Sequence, residues 1–254
     1  MIYQGSKARL KKDILPVLQK CIDDNNIGTY IEPFVGGANI IDSIERCRRI
    51  GSDINYELIQ LLKYMQEHPE LEDFPENCSF EHYREVRGAR YSDDFPVWYT
   101  AGIGYFASYG GRYFDGGYGR DATGRRNIYA ERLAYAREQA PKLKGIEFRI
   151  EDYLYYSGCE NCVFYLDPPY MGTKTYNEHK NSFNYDEFYT FCRKLSKKNW
   201  VFISEYAMPD DFECIWQKQR KVFQKSDRLK TDVAVEKLFV FKEGLARQAV
   251  SGAE

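Results

Sequence analysis

The sequence predicts an α/β fold, in which helices cover a mostly parallel sheet and a helical module interrupts it. Short β-prone runs alternate with helical runs from residue 29 to residue 67, and this alternation is typical of parallel strands joined by helical crossovers. The alternation lapses between Pro69 and Gly145 and then resumes. We therefore expect residues 1–68 and 145–254 to form one core and residues 69–144 to form an inserted helical module.

Composition excludes several classes of protein. The 254 residues are 43% hydrophobic and 29% charged, which argues against a disordered chain, collagen or a coiled coil. No stretch approaches the roughly 20 consecutive apolar residues of a membrane-spanning helix, and the first residues show no apolar signal segment. Seven cysteines suit free thiols in a reducing compartment. The expected location is the cytoplasm, away from membranes.

The N-terminal part of the predicted core begins with a helix. Apolar residues at helical spacing predict this helix within residues 6–24, with Pro16 at a kink. A β-prone run at 29–32 predicts a buried strand. An amphipathic helix opening with Ile40, Ile41 and Ile44, a strand near residues 50–54 and a helix at residues 55–67 follow. These elements form two strand–helix pairs of a parallel sheet.

The remaining elements belong to the insert and to the C-terminal part of the core. In the insert, helices are predicted around residues 81–89, 97–108 and 127–139, with a loop rich in glycine, arginine and tyrosine at 110–126. In the core, the predicted elements are strands at 146–150, 163–166 and 200–204, a helix at 185–195, and two strands joined by a polar turn within 221–241.

A glycine pair follows the first predicted strand, in the segment Glu32-Pro-Phe-Val-Gly36-Gly37-Ala38-Asn39. A strand that ends in a glycine turn before a helix brings backbone amides close to a ligand at the carboxyl edge of the sheet. The alternative is a tight turn that needs glycine only for its backbone conformation and binds no ligand. The sequences of a P-loop and of a complete G-x-G-x-x-G motif are both missing, so a P-loop is excluded.

Asp53 ends the second predicted strand. In dinucleotide-binding folds, an acidic group that follows a glycine turn in this way reaches the hydroxyls of a ribose. Asp53 could equally be the N-cap of the helix that begins near Asn55. Together with the glycine turn, it indicates a cofactor that contains adenosine.

The sharpest pattern is an apolar strand followed by Asp167-Pro168-Pro169-Tyr170. Two consecutive prolines fix the backbone and remove two amide donors, which leaves carbonyls as acceptors. A carboxylate, a rigid carbonyl and an aromatic ring suit a planar substrate with an NH2 group, such as adenine. A purely structural turn would not explain why an acid and a tyrosine flank the prolines.

These motifs resemble those of the Dam-like, D12 class DNA adenine methyltransferases, which use S-adenosylmethionine. The resemblance rests on Tyr3-Gln-Gly-Ser-Lys7, Glu32-Pro-Phe-Val-Gly-Gly, Ser52-Asp53-Ile-Asn55 and the Asp-Pro-Pro-Tyr motif, in the family's order, with weaker matches at Glu151-Asp152-Tyr153 and Phe202-Ile-Ser204. It implies a Rossmann-like methyltransferase core, whose mostly parallel sheet ends in a C-terminal antiparallel hairpin, with an inserted helical DNA-recognition module.

The resemblance also implies a role for each matching residue. Asp167 and the Pro168 carbonyl would accept hydrogen bonds from the target amine, and Tyr170 would stack on the flipped base. Asp53 would bind the ribose hydroxyls of the cofactor, and Asp152 would lie beside its adenine. The cofactor-binding residues would be Tyr3, Lys7, Glu32, Phe34, Gly36, Asp53, Asp152 and Asp167.

Two positions depart from the family pattern, and no metal is implied. Ala38 takes the last place of an F-x-G-x-G motif, which predicts altered cofactor affinity at most. Tyr3 and Ser6 stand where many members have Trp and Gly. The lone pair Cys159 and Cys162 has no second pair and no histidine nearby, so a zinc site is not expected.

Local charge predicts where double-stranded DNA binds, although the formal net charge is −2. Residues 112–144 carry eight basic side chains against four acidic ones, and ordinary solvated faces also carry such clusters. This cluster overlaps the insert, where the family has its recognition module, and it interleaves arginines with aromatic rings. The candidate DNA-binding residues are Arg112, Tyr113, Arg120, Arg125 and Arg126. A second basic cluster comprises Lys218, Arg220, Lys221, Lys225, Arg228 and Lys230.

The predicted function is transfer of a methyl group from S-adenosylmethionine to the exocyclic amine of adenine in a short duplex sequence. The resemblance implies a bacterial or phage-encoded enzyme and leaves a cognate restriction endonuclease open as a partner. One alternative is methylation of cytosine, an RNA base or a glutamine amide, but relatives that act on these often have Ser or Asn in place of Asp167. The other is a DNA-binding regulator without turnover, which would need neither Asp53 nor the motif at 167–170.

Overall fold

A computed structural model describes residues 1–170, 183–223 and 231–251 of the chain. The strands are β1 (Thr29–Glu32), β2 (Arg48–Ser52), β3 (Ile146–Arg149), β4 (Val163–Leu166), β5 (Trp200–Glu205), β6 (Phe212–Phe223) and β7 (Thr231–Phe241). The α-helices are α1 (Lys11–Asp24), α2 (Tyr56–Glu67), α3 (Phe80–Gly88), α4 (Val97–Ala107), α5 (Ile128–Gln139), α6 (Tyr185–Ser196) and α7 (Leu245–Ser251).

The seven strands form one mixed sheet in the order β3-β2-β1-β4-β5-β7-β6. The pairs β2–β3, β1–β4 and β4–β5 are parallel, with Tyr30 opposite Val163 in the second pair. The pairs β5–β7 and β6–β7 are antiparallel. The predicted class, an α/β fold whose mostly parallel sheet ends in antiparallel strands, is therefore confirmed.

Most predicted elements form close to their expected bounds, and polar caps explain where several helices begin. The side chains of Asn55, Ser79, Asn127 and Asn184 each accept a hydrogen bond from a backbone amide in the first turn of α2, α3, α5 and α6. At the C-terminal end, β6 begins at Phe212, well before the predicted strand. Helix α7 was not predicted, and the predicted polar turn after β6 falls at residues 224–230, outside the described residues.

The amphipathic helix predicted to open with Ile40, Ile41 and Ile44 is wrong. These isoleucines are buried, but the backbone forms only a short 3₁₀ turn at Ile41–Ser43. The amide of Gln139 donates to the carbonyl oxygens of Gly37 and Ala38 at 3.1 and 3.0 Å. Ala38 has a φ of +55° and Ile44 has extended backbone angles, so the backbone departs from α-helical geometry on both sides of this turn. The glycine turn is therefore not backed by a helix N-terminus.

The chain divides into two compact units. The first comprises Met1–Leu15, Val35–Ile44 and Arg49–Asp152, and the second comprises Pro16–Phe34, Glu45–Arg48 and Tyr153–Glu254.

Helix α4 lies at the centre of the first unit. Every residue of this helix from Thr100 to Ala107 is buried, and it packs against α2, α3 and α5. A β-carbon at Gly102 would lie 2.2 Å from the Phe74 ring, and one at Gly104 would lie 2.5 Å from the Tyr113 ring. Glycine at these two positions therefore lets aromatic rings pack directly against the helix backbone.

The second unit is built around β4, whose four residues are all buried. Continuous burial is typical of a central strand in a parallel sheet. Helix α6 turns Phe188, Cys192 and Leu195 inward, at the spacing expected of an amphipathic helix. Among the residues that the structure describes, no helix combines the length and apolar character needed to span a bilayer.

Candidate active site

The turn after β1 requires glycine at two successive positions. Gly36 has a φ of +46°, in the left-handed region that glycine adopts without strain. At Gly37, a β-carbon would lie 2.9 Å from Cβ of Tyr3 and 3.0 Å from the carbonyl oxygen of Met1. The two glycines therefore let the N-terminal segment pack directly against the turn.

Asp53 is tied to this glycine turn by hydrogen bonds. Its Oδ2 accepts from the amide of Gly36 at 3.2 Å, and its Oδ1 accepts from the amide of Asn55 at 3.0 Å. Burial raises the pKa of Asp53 to about 6, although the amides of Asn55, Gly36 and Ile54 act in the opposite direction. Asn55, and not Asp53, is the N-cap of α2. Asp53 is thus a fixed carboxylate that retains further lone pairs for a ligand.

An aromatic column stands beside Asp53 in the first unit. The rings of Tyr3 and Tyr105 lie 5.7 Å apart, those of Tyr105 and Tyr113 lie 4.8 Å apart, and the Arg90 guanidinium lies 4.4 Å from the Tyr113 ring. Nδ2 of Asn55 donates to the hydroxyl of Tyr105 at 3.1 Å. The column is therefore joined to Asp53 through Asn55. Tyr105 lies within α4 and Arg90 lies in the turn after α3; neither was predicted as a site residue, because a single aromatic or basic residue outside a motif carries no positional signal.

Lys7 and Asp152, two further predicted cofactor residues, also belong to the first unit. Lys7 is buried, and its Nζ donates to the carbonyl oxygen of Gly5 at 3.2 Å. Asp152 is exposed and follows the end of β3.

The Asp-Pro-Pro-Tyr motif directly follows β4 in the second unit. Asp167 is partly exposed, whereas Pro168 and Tyr170 are buried. The hydroxyl of Tyr185 donates to the carbonyl oxygen of Pro169 at 2.8 Å. The hydroxyl of Tyr170 donates to Oε2 of Glu236 at 3.1 Å. Both ends of the motif are thereby fixed, by the buried strand on one side and by hydrogen bonds on the other.

Glu32 and Phe34, the other two predicted cofactor residues, lie in the second unit. Glu32 is buried at the end of β1. The ring of Phe34 is stacked on Tyr153 at 5.4 Å and meets Phe188 edge-on at 6.0 Å. Phe34 is therefore part of an aromatic cluster.

The five candidate DNA-binding residues of the insert differ in exposure. Arg120, Arg125 and Arg126 are exposed, Arg112 is half-buried, and Tyr113 is buried in the aromatic column. Nε of Arg126 donates to Oε1 of Glu131 at 2.8 Å, so an acid already offsets this charge. The structure thus separates the exposed arginines from the aromatic residue with which the sequence grouped them.

Some basic residues of the predicted clusters do not face solvent as free cations. Arg132 is buried, and its guanidinium donates to the carbonyl oxygens of Phe106 at 3.1 Å and of Ser108. Arg137 forms an ion pair with Glu76 at 2.8 Å. In the second cluster, Lys225, Arg228 and Lys230 lie outside the described residues.

An arginine pair on an exposed ring is a feature that the sequence reading missed. The guanidinium of Arg120 lies 4.6 Å from the centroid of the Phe80 ring, and that of Arg84 lies 5.8 Å from the same ring. The Phe80 side chain is 37% exposed. Within the part of the chain that the structure describes, neither arginine forms an ion pair. Arg84 lies on α3, too far along the chain from Arg120 for a sequence window to group them.

The fold and these motifs first define a class, the α/β methyltransferases, because the mixed sheet is consistent with a methyltransferase core. Residues 3–93 match the family model described as D12 class N6 adenine-specific DNA methyltransferase. This match covers about a third of the chain; it supports the D12 family assignment and implies N6-adenine DNA methyltransferase activity. No curated protein matches the chain. The family match ends before the motif at residues 167–170.

Proposed function

We propose that Asp167, the carbonyl of Pro168 and the ring of Tyr170 hold the target adenine of duplex DNA during methyl transfer. The observation that carries this proposal is the position of the motif directly after the buried strand β4, with Tyr170 anchored on Glu236. Buried secondary structure places functional groups more reproducibly than a free loop does. The same arrangement offers two oxygen acceptors and a ring within four consecutive residues.

The D12 family uses S-adenosylmethionine as methyl donor, and the first unit has groups that fit this molecule. Asp53 presents a carboxylate held by the amides of Gly36 and Asn55, as a pair of ribose hydroxyls requires. We assign Tyr3, Lys7 and Gly36 in the same unit to the cofactor. Following the family resemblance, we also assign Asp152, Asp167, Glu32 and Phe34 to it. When bound, the cofactor supplies an electrophilic methyl group on a sulfonium.

The residues of the motif act on the adenine amine, whose lone pair is delocalised into the ring. The Asp167 carboxylate and the Pro168 carbonyl would each accept a hydrogen bond from one N–H group of this amine. These hydrogen bonds favour a more tetrahedral nitrogen and direct its lone pair out of the ring plane. The protein therefore contributes orientation and electrostatic stabilisation, without a covalent enzyme intermediate.

The target base must leave the duplex before these residues can reach it. Extrusion of a base costs a few kcal/mol, and stacking on an aromatic side chain recovers part of this cost. Tyr170 is the aromatic residue proposed for this stacking. For contacts to the duplex we propose the exposed Arg84, Arg120, Arg125 and Arg126 and the half-buried Arg112, whereas the buried Tyr113 would act only as packing beneath them.

The test is methyl transfer by Asp167→Ala to duplex DNA, with radiolabelled S-adenosylmethionine. We expect transfer to fall by about 10²-fold or more, as on loss of a preorganised transition-state contact, while DNA binding persists. Asp186→Ala, which removes an exposed acid of the same unit from the first turn of α6, is the control and should retain activity. Full activity of Asp167→Ala would contradict the assignment.

Sequencing of DNA from cells that express the protein tests the duplex substrate separately. Modified adenines should share one short sequence context. If a cognate restriction endonuclease acts at that context, the same DNA should resist its cleavage. Methylation without a common context would contradict recognition of a short sequence.

A further inference from the structure

Two neighbours among the described residues, Glu236 and Tyr206, contact the side chain of Tyr170. Its hydroxyl donates to Oε2 of Glu236 at 3.1 Å. Its ring meets the ring of Tyr206 edge-on, with centroids 4.6 Å apart and planes at 84°. Glu236 lies on β7 and is only 5% exposed, and Tyr206 directly follows β5. Glu236 therefore lies on a strand of the sheet, and Tyr206, like the motif itself, directly follows a strand of that sheet.

These two contacts restrict the orientation of the Tyr170 ring. A tyrosine side chain has two rotatable bonds before its ring, and an edge-on aromatic neighbour restricts both of them. The hydrogen bond from the hydroxyl to Glu236 further restricts movement of the far end of the ring. Burial and the nearby Asp167 carboxylate raise the pKa of Tyr170 well above its ordinary value, so the hydroxyl stays protonated and can donate.

Burying the Glu236 carboxylate costs free energy, and a functional role would explain why an acid occupies this position. A carboxyl group leaves water only at a considerable free-energy cost, which hydrogen bonds must offset. Glu205, 1% exposed, is a second buried acid of this region, and like Glu236 it contributes to the field at Tyr170. A strand position that needed only packing would be filled more favourably by an apolar residue.

We propose that Glu236 is a positioning residue, which holds the ring of Tyr170 in the orientation that stacks on the extruded base, with Tyr206 as its aromatic support. This inference rests on the proposed function, because it concerns the same stacking residue. Glu236 touches neither the base nor the cofactor in this scheme and acts only through the tyrosine hydroxyl.

The test is a double-mutant cycle on methyl transfer at saturating DNA and S-adenosylmethionine. Tyr170→Phe and Glu236→Ala should each lower kcat, by about tenfold if the hydrogen bond contributes about 1.4 kcal/mol. The combination of both changes should cost no more than either alone, because they remove the same contact. Glu236→Gln keeps an acceptor oxygen and should restore most of the activity. Binding of S-adenosylmethionine should be unchanged throughout.

Fluorescence of 2-aminopurine at the target position gives a second readout, since it rises when the base leaves the stack. In Tyr170→Phe and Glu236→Ala, we expect less of this rise. A purely structural role of Glu236 would instead lower the melting temperature and leave kcat of the folded enzyme unchanged. Tyr170→Phe keeps the ring and tests the proposal even if Glu236→Ala fails to fold.

Two results would overturn the inference while leaving the proposed function intact. One is wild-type kcat in Tyr170→Phe together with an inactive Tyr170→Ala, because the ring would then act without its hydroxyl contact. The other is full additivity of the two losses in the cycle. Wild-type activity in Tyr170→Ala would instead refute the stacking role itself, and with it this part of the proposed function.

Discussion

Asp53 shows how much one side chain depends on its immediate surroundings. In sequence it is an acid at the end of a strand, equally suited to a helix cap or a ligand contact. In the structure Asn55 is the N-cap of α2, and the Asp53 carboxylate accepts hydrogen bonds from the amides of Gly36 and Asn55. Its pKa of about 6 reflects burial that these amides do not fully offset.

This pKa leads to a prediction for cofactor binding. An ionised carboxylate accepts two ribose hydroxyls better than a protonated one does, so affinity for S-adenosylmethionine should fall as the pH drops through about 6. Calorimetric titration over a series of pH values on both sides of that point measures this change. Asp53→Asn is the control and should bind weakly, without a pH step there. A step of equal size in Asp53→Asn would show that another group titrates.

Ala38 gives a physical reason for the glycine that the family often has at this position. Its φ is +55°, in the left-handed region, where an L-residue with a β-carbon is strained by roughly 1–2 kcal/mol. Glycine would remove this strain but would lose the burial of the methyl group and add unfolded-state entropy. These effects oppose each other, which explains how alanine can be accommodated.

At the scale of elements, a buried arginine, Arg132, caps the C-terminal end of α4. The guanidinium of Arg132 bonds to carbonyl oxygens at the C-terminal end of α4, which have no amide partners within that helix. A positive charge there also interacts favourably with the helix dipole. Arg132 falls in the basic cluster predicted at residues 112–144, because the charge of a side chain is visible in the sequence and its burial is not.

Replacing Arg132 should therefore reduce stability and not DNA affinity. We expect Arg132→Met to lower the free energy of unfolding by about 2–4 kcal/mol, because buried carbonyls lose charged donors. Arg137→Met on the same helix removes an ion pair whose glutamate is largely exposed and should cost about 1 kcal/mol or less. Urea denaturation of both variants measures the difference. Equal losses would mean that Arg132 has no special role.

At the scale of the whole molecule, net charge does not indicate where DNA binds. The chain has 36 basic and 38 acidic residues, but ion pairs and burial occupy several of the basic ones. Arg84 and Arg120 lie against the exposed Phe80 ring, and we propose that they contact DNA phosphates. A stacked guanidinium keeps its N–H edges free for such contacts.

The salt dependence of DNA binding tests this surface. Each phosphate contact contributes about 0.9 to the slope of log K against log salt concentration. We expect Arg84→Ala and Arg120→Ala each to reduce that slope by about this amount. The control is Arg46→Ala, which removes an exposed arginine paired with Asp23 at 2.6 Å. It changes the net charge by the same amount and should leave the slope unaltered. An unaltered slope in both surface variants would exclude phosphate contacts by this pair.

The predicted and observed elements differ where distant residues decide. Strand β4 and helix α6 were predicted nearly to the residue, because an apolar run and an amphipathic period are local patterns. Where a helix was expected to open at Ile40, Gln139 from far along the chain donates to the carbonyls of Gly37 and Ala38, and Ala38 has a left-handed φ of +55°. No short stretch of sequence contains both Gln139 and the carbonyl groups that it contacts.

The sequence by itself determined the class of fold, the family motifs and the residue types available for chemistry. These follow from local periodicity and from short motifs whose members are neighbours in the chain. The tertiary structure decided which of those groups are anchored, buried or paired: Asp53 on the glycine turn, Tyr170 on Glu236, and Arg132 under α4. The physical reason is that desolvation and hydrogen bonding depend on neighbours in space, which the order of residues does not reveal.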